Sequence, residues 1–106
     1  MGIEVSIERG DGVLVREVWG DPLNRFARLV HRAWELGIDQ FPFLTSIDPY
    51  GDTRFNYLMA ERFGHELVRI SGHVNNEAEL IANLTTACSE VAGGQVPGLH
   101  LVFLGD

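Results

Sequence analysis

The sequence predicts an α+β fold, a single largely antiparallel sheet packed against helices, and three observations carry that expectation. Apolar and polar residues alternate at 3–8, an apolar stripe recurs at helical spacing over 23–34, and 99–104 is an apolar run of strand length. The element order expected along the chain is β-β-α-β-β-α-α-β, with no linker, repeat or low-complexity segment, so residues 1–106 read as one domain. At 106 residues such a domain buries roughly two thirds of its unfolded surface, enough for a core without metal or disulfide staples.

Ile3, Val5 and Ile7 alternate with Glu4, Ser6 and Glu8, the period-two pattern of a strand with one buried and one wet face. Gly10-Asp11-Gly12 supplies a turn, and the β-branched and aromatic run 13–19 returns as the second strand of a hairpin closed by Gly20. The triplet Arg9-Gly10-Asp11 spells an adhesion motif, but three residues are too short a match to carry meaning. Asp21 as N-cap and Pro22 at the first helical position predict a helix running to Leu36 and stopping at Gly37. Leu23, Phe26, Ala27, Val30, Ala33 and Trp34 share one face of it, and Arg25, Arg28 and Arg32 the opposite one. That Arg stripe reads as a solvated face, with phosphate or an acidic partner as the functional alternative.

Residues 41–47 are apolar and aromatic, and Pro42 suits the start of a strand or an edge. After a turn, 53–58 reads as the return strand of a second hairpin, with a helix from about Ala60. A competing helical pattern, Phe55, Leu58, Met59, Phe63, Leu67 and Ile70, starts that helix near Asn56. Gly64 inside it costs up to about 1 kcal/mol relative to Ala, which implies close approach of another element. Asn76 with Glu79 resembles a capping box opening a third helix, with Leu80, Ile81, Leu84, Cys88 and Val91 as its core stripe and Gly93-Gly94 as its stop. The run 99–104 is apolar on both faces, which places it in the sheet interior.

A net charge of −7 and a pI near 4.9 argue against nucleic-acid binding and favour a basic protein partner. All eight basic residues are Arg, a usage expected of a GC-rich bacterial genome. Hydrophobic residues at 45% and charged residues at 22% are ordinary for soluble proteins, and no apolar run is long enough to cross a bilayer. No secretory signal is visible at the N-terminus, and Cys88 stands alone, so a cytoplasmic location is expected.

The segment 46–56 crowds turn-forming, acidic and amide residues between apolar runs. Pro49 fixes φ and Gly51 permits positive φ, so the local expectation is a tight turn braced by its Asp side chains. Asp48, Asp52 and Asn56, with Thr53, offer hard oxygen ligands, but their spacing falls short of the twelve-residue Ca²⁺ loop, and neither metal nor cofactor is expected. Tyr50 on a rigid turn suits the anchoring of a partner. No two of His31, His65, His73 and His100 are spaced i, i+4. His65 with Glu61, Glu66 or Asp52 forms an acid–base pair only if folding brings them together, and His100 reads as a satisfied core histidine. Cys88 lies on a buried stripe, where a thiolate is disfavoured. No P-loop, dinucleotide fingerprint or nucleophile elbow is present, and no catalytic residue is assigned.

The segment Ile47-Asp48-Pro49-Tyr50-Gly51-Asp52-Thr53 with Phe55-Asn56, and the ending His100-Leu101-Val102-Phe103-Leu104-Gly105-Asp106, resemble a family of small uncharacterised bacterial proteins with a similar mid-chain turn and a similar strand ending in Gly-Asp. The matching portions cover about a fifth of the chain. Where that family often opens the following helix with Pro, Ala60-Glu61-Arg62 stands here. The resemblance implies no established activity and no catalytic residues.

Small size, acidity and a turn bearing an aromatic together suggest an immunity- or antitoxin-like binding protein that masks a basic partner such as a nuclease-like toxin. The candidate contacts are Asp48, Tyr50, Asp52 and Asn56 with the wet strand face of Glu4 and Glu8. Two alternatives stand beside it. One is a small-molecule-binding domain or enzyme with a polar pocket near the turn, using Asp52, Asn56 and His65 or His100. The other is a structural homodimer, since Trp19, Trp34 and the Phe residues exceed what one small core needs.

Overall fold

Strands β1 (Ile3–Arg9) and β2 (Leu14–Trp19) form the expected hairpin, turned by Gly12 in the left-handed region. The computed structural model describes residues 2–94 and 96–105. β2 carries two bulges, in which Val15 and Val18 are the extra residues, so Glu17 lies opposite Ser6 while Trp19 lies opposite Val5. β3 (Asp52–Phe55) and β4 (Leu99–Gly105) complete one antiparallel sheet in the order β2-β1-β4-β3. The apolar run 99–104 thus lies inside the sheet, hydrogen-bonded on both sides.

All helices pack on one face. α1 (Arg25–Leu36), α3 (Tyr57–Ile70) and α4 (Ala78–Ala92) cover Ile3, Val5, Ile7, Phe55, Leu101 and Phe103. At the centre, the rings of Phe55, Phe63 and Phe103 meet edge-on with centroids 4.9 to 5.4 Å apart, and Phe26 and Phe43 flank them. The phenylalanines are therefore used in one core. The close approach expected at Gly64 is present, since a Cβ there would stand 3.3 Å from Cys88 Cβ on α4.

Three local expectations are corrected. Residues 41–47 are not a strand but hold a short helix, α2 (Pro42–Ser46), so the element order is β-β-α-α-β-α-α-β and β3 pairs with β4 rather than with this segment. Pro42 takes the first helical position, and Glu66 on α3 accepts hydrogen bonds from Phe43 N and Leu44 N at 2.8 to 3.1 Å, satisfying donors that a helix start leaves free. Asn76 and Glu79 form no capping box, because Asn76 adopts φ 63° and gives its carbonyl to Arg25, while Glu77 holds the N-cap position and pairs with the same guanidinium. Helix α1 begins at Arg25, not after Asp21, and Asp21, Leu23 and Asn24 stand in the left-handed region at φ 57°, 60° and 56°.

Asp21 nevertheless caps that helix from a distance. Its carboxylate is 5% exposed and accepts from Phe26 N at 2.6 Å and Ala27 N at 3.2 Å, and also from Ile3 N at 2.6 Å and Trp19 Nε1 at 3.3 Å. Leaving buried donors unpaired costs about 1–3 kcal/mol each, so Asp21→Ala is expected to lower the unfolding free energy by roughly 3 kcal/mol, and Asp21→Asn, which keeps one acceptor oxygen, by less. Urea midpoints measure both, and a loss below about 1 kcal/mol for the Ala variant would show that water replaces the carboxylate.

Glu66 is 3% exposed, and burial raises its carboxyl above the usual range, the bonds from Leu44 N and Phe43 N and the nearby Arg69 opposing this only in part. A raised folded value means that the contribution of Glu66 to stability is complete below its unfolded value and is lost as pH rises through its folded value. Measured against Glu66→Gln in denaturant titrations, the parent protein is therefore expected to lose ground from acid to neutral pH. A constant difference between the two across that window would show no shift.

Candidate functional site

With every helix on one side, the other face of the sheet carries no covering element among the described residues. Register places Glu4, Ser6 and Glu8 of β1 there, opposite Leu104, Val102 and His100 of β4, with Asp52 and Arg54 of β3 and Leu14 and Glu17 of β2 at the flanks. Val102 and Ser6 are sheltered among longer neighbours, whereas Glu4, Glu17, Asp52, Arg54, Leu14 and Leu104 are exposed. The face has an apolar centre rimmed by four carboxylates against one guanidinium, and Arg54 is committed to Glu8 at 3.0 Å.

Of the residues singled out from sequence, Glu4, Glu8 and Asp52 meet on this face, with Glu4 and Asp52 in one row across Leu104. Asp48 and Tyr50 belong to the turn that borders the row. Asp48 Oδ1 accepts from Tyr50 N at 2.8 Å, Asp48 N donates to Thr53 Oγ1 at 3.0 Å, and Gly105 N donates to Gly51 O at 2.9 Å, fixing the turn to β4. Gly51 does not have positive φ, and a Cβ there would stand 2.6 Å from Asp48 Oδ2 and displace that carboxylate. At Gly105 a Cβ would collide with the backbone of Pro49, so the mid-chain turn and the final strand touch one another. Asp106 lies outside the described residues.

Tyr50 is 69% exposed and shares a shallow cleft with Pro49, His31 and the half-exposed Trp34 of α1. Asn56 stands apart as the N-cap of α3, its Oδ1 accepting from Met59 N at 3.0 Å, so the strand ends at Phe55 and the helix begins at Tyr57, as the competing helical pattern had it, and not at Ala60 after a strand over 53–58. It lines a mainly apolar cleft of about 400 Å³ with Tyr57, Val91, Leu99 and His100. His100 itself is half-buried on the open face, its Nδ1 3.2 Å from Gly98 O. The structure thus brings Asn56 and His100 to one cleft, but not Asp52 or His65.

Among the described residues no three His, Cys, Asp or Glu side chains converge, and His65 has no carboxylate within ion-pair distance. Cys88 is buried between α3 and α4, and burial pushes its thiol up to about 12, so a thiolate is disfavoured at neutral pH. The Arg stripe of α1 is largely occupied, with Arg25 on Glu77 and over the Trp19 ring, and Arg32 on Glu35. No helix of the described residues is long and apolar enough to cross a membrane.

Glu17 is the carboxylate of the open face that sequence reasoning missed. Strict alternation puts Glu17 on the same face as Trp19, and only the bulge at Val18 separates them. Ser6 was visible within the alternating strand but carries no charge to single it out.

The chain matches no family model, no curated protein and no solved structure.

If Asp48 braces the turn through its acceptor oxygen, Asp48→Asn is expected to keep the stability of the parent, and Asp48→Ala to lose about 1 kcal/mol, the ordinary worth of such a bond. Thermal or urea unfolding reads the difference, and equal losses in both variants would assign the effect to charge instead.

Proposed function

We propose that this protein is a small acidic binding module, acting in the cytoplasm, that masks a basic protein by docking it on the open face of its sheet. One observation carries the reading: an uncovered sheet face on which the exposed apolar residues Leu14 and Leu104 stand among Glu4, Glu8, Glu17 and Asp52. Apolar centre and charged rim are the anatomy of a protein interface, and complementary charge speeds association and suppresses wrong partners. At about 4.8 Å per strand and 3.3 Å per residue, the sheet face measures roughly 20 Å on a side, less than the ~800 Å² that a stable complex buries per partner. The bordering turn therefore belongs to the surface, and Tyr50, held by a braced backbone, adds an aromatic anchor of small entropic cost.

A second reading has its own observation. The apolar cleft that joins Asn56, Tyr57 and His100 suits a small molecule. The homodimer reading keeps only Trp34, which is half-exposed, because five of the six phenylalanines and Trp19 are buried in a single core.

The test is affinity capture from a lysate of the source organism at low and moderate salt, with a Glu4→Arg, Asp52→Arg variant in parallel. One stoichiometric basic protein, held less firmly as salt rises and lost by the variant, is the expected result. Equal capture by both proteins would sink the open face as the docking surface, and retention of a metabolite without any protein would favour the cleft.

A further inference from the structure

Trp34 belongs by spacing to the apolar stripe of α1, yet it is 49% exposed, and with Tyr50 it lines the shallow cleft between α1 and the mid-chain turn. The helix contributes Ala27, Val30, His31 and Trp34 to one bank of that cleft, and the turn contributes Pro49 and Tyr50 to the other. The two banks carry opposite charge. On α1, Arg28 stands one helical turn from His31 and Arg32 and has no ion-pair partner among the described residues, whereas His31 and Arg32 share Glu35. On the turn, exposed Asp48 directly precedes Pro49; its Oδ1 accepts from Tyr50 N, but no cation pairs with it among the described residues. Arg28 and Asp48 thus flank one aromatic cleft with opposite signs and do not pair within the chain.

We infer that two copies of this chain pair through this cleft, an inference that rests on the homodimer alternative, gives it a surface, and shares only Tyr50 with the proposed docking face. A two-fold interface must be self-complementary, so that each residue meets on the second copy the residue that in turn meets its own equivalent. A two-fold axis running along the cleft does this. It lays the α1 bank of one copy on the turn bank of the other, with Arg28 opposite the second copy's Asp48 twice over. The same operation brings Trp34 against the second copy's Tyr50, and large aromatic residues are what the centres of interfaces concentrate. A partner of uniform sign is repelled by one bank or the other, whereas a second copy offers both signs in the required order. The net charge of −7 on each copy opposes association at long range, but at about 0.15 M salt exposed charges more than about 8 Å apart are largely screened. The patch is small beside the ~800 Å² that a stable complex buries per partner, so the pairing is weak, with a Kd of roughly 10 μM or above.

Sedimentation equilibrium of the parent at concentrations up to about 1 mM, in about 0.15 M salt, is expected to show a monomer–dimer equilibrium. Trp34→Ala should weaken it at least ~10-fold, since tryptophan at an interface centre carries a large share of the affinity. Charge reversal is the decisive arm. Arg28→Asp and Asp48→Arg each set like charges together twice and should leave monomers, whereas an equimolar mixture of the two proteins restores both opposite-charge contacts and should form a one-to-one heterodimer. Because Asp48 also braces the turn, circular dichroism and urea midpoints establish that each variant is folded, and Asp48→Asn, which keeps the acceptor oxygen, should weaken the parent dimer several-fold. A parent that stays monomeric throughout, or a mixture of folded variants no more associated than its components, would overturn the inference. Undiminished dimers of the reversal proteins and of Trp34→Ala would overturn this surface while leaving the homodimer alternative to another face.

Discussion

The carboxylate of Asp21 is where the first third of the chain is tied together. It accepts from the first residue of β1, from the indole that ends β2 and from the first turn of α1, so one side chain fixes how the hairpin leads into the helix. The backbone there is costly. Asp21, Leu23 and Asn24 occupy the left-handed region, at about 1–2 kcal/mol for each such residue, and this conformation persists because the buried carboxylate over-determines it. Gly2 is part of the same arrangement, since a Cβ there would stand 3.1 Å from the Asp21 side chain. Released from this clamp, α1 would lose the entry angle that sets Phe26 against Phe103 and Trp34 beside the mid-chain turn.

A second buried carboxylate repeats the device on a smaller scale. Glu66 reaches from α3 to the start of α2, a helix of five residues that has too few internal bonds to stand alone. Both carboxylates work on the helical side, and together with the phenylalanine cluster they place every helix there. The uncovered face is a consequence of that one-sidedness, and it is not a polar face of the usual antiparallel kind. β4 brings Val102 and Leu104 to it, Val102 already sheltered by its longer neighbours and Leu104 left 37% exposed.

What could be read in advance follows the range of each interaction. The hairpin, the Phe26-Val30-Ala33 stripe of α1 and the doubly apolar run of β4 were legible from the residues of each segment alone, and Gly64 announced a close approach without naming Cys88 as its partner. Residues 41–47 were misread because a short apolar run with Pro near its start suits a strand edge as well as a first helical turn, and the cap that decides between them lies more than twenty residues away at Glu66. Asp21 was legible as an acceptor, but its reach across three elements was not. At the candidate site the same division holds: Glu4 and Glu8 announce themselves by period two, whereas Glu17 joins them only through a bulge.

The distribution of charge bears on what covers the open face. Two copies of this chain stacked through it would set four carboxylates against four, with one guanidinium on each side already engaged, and like charges brought together in a desolvated interface cost several kcal/mol. The rim thus opposes self-association through the same surface whose apolar centre calls for a cover. In the proposed reading a basic partner would meet both conditions, its cations neutralising the rim while its apolar atoms cover Leu14 and Leu104. An acidic rim beside apolar residues would select its partner by sign, and the docking proposed here rests on that sign being positive.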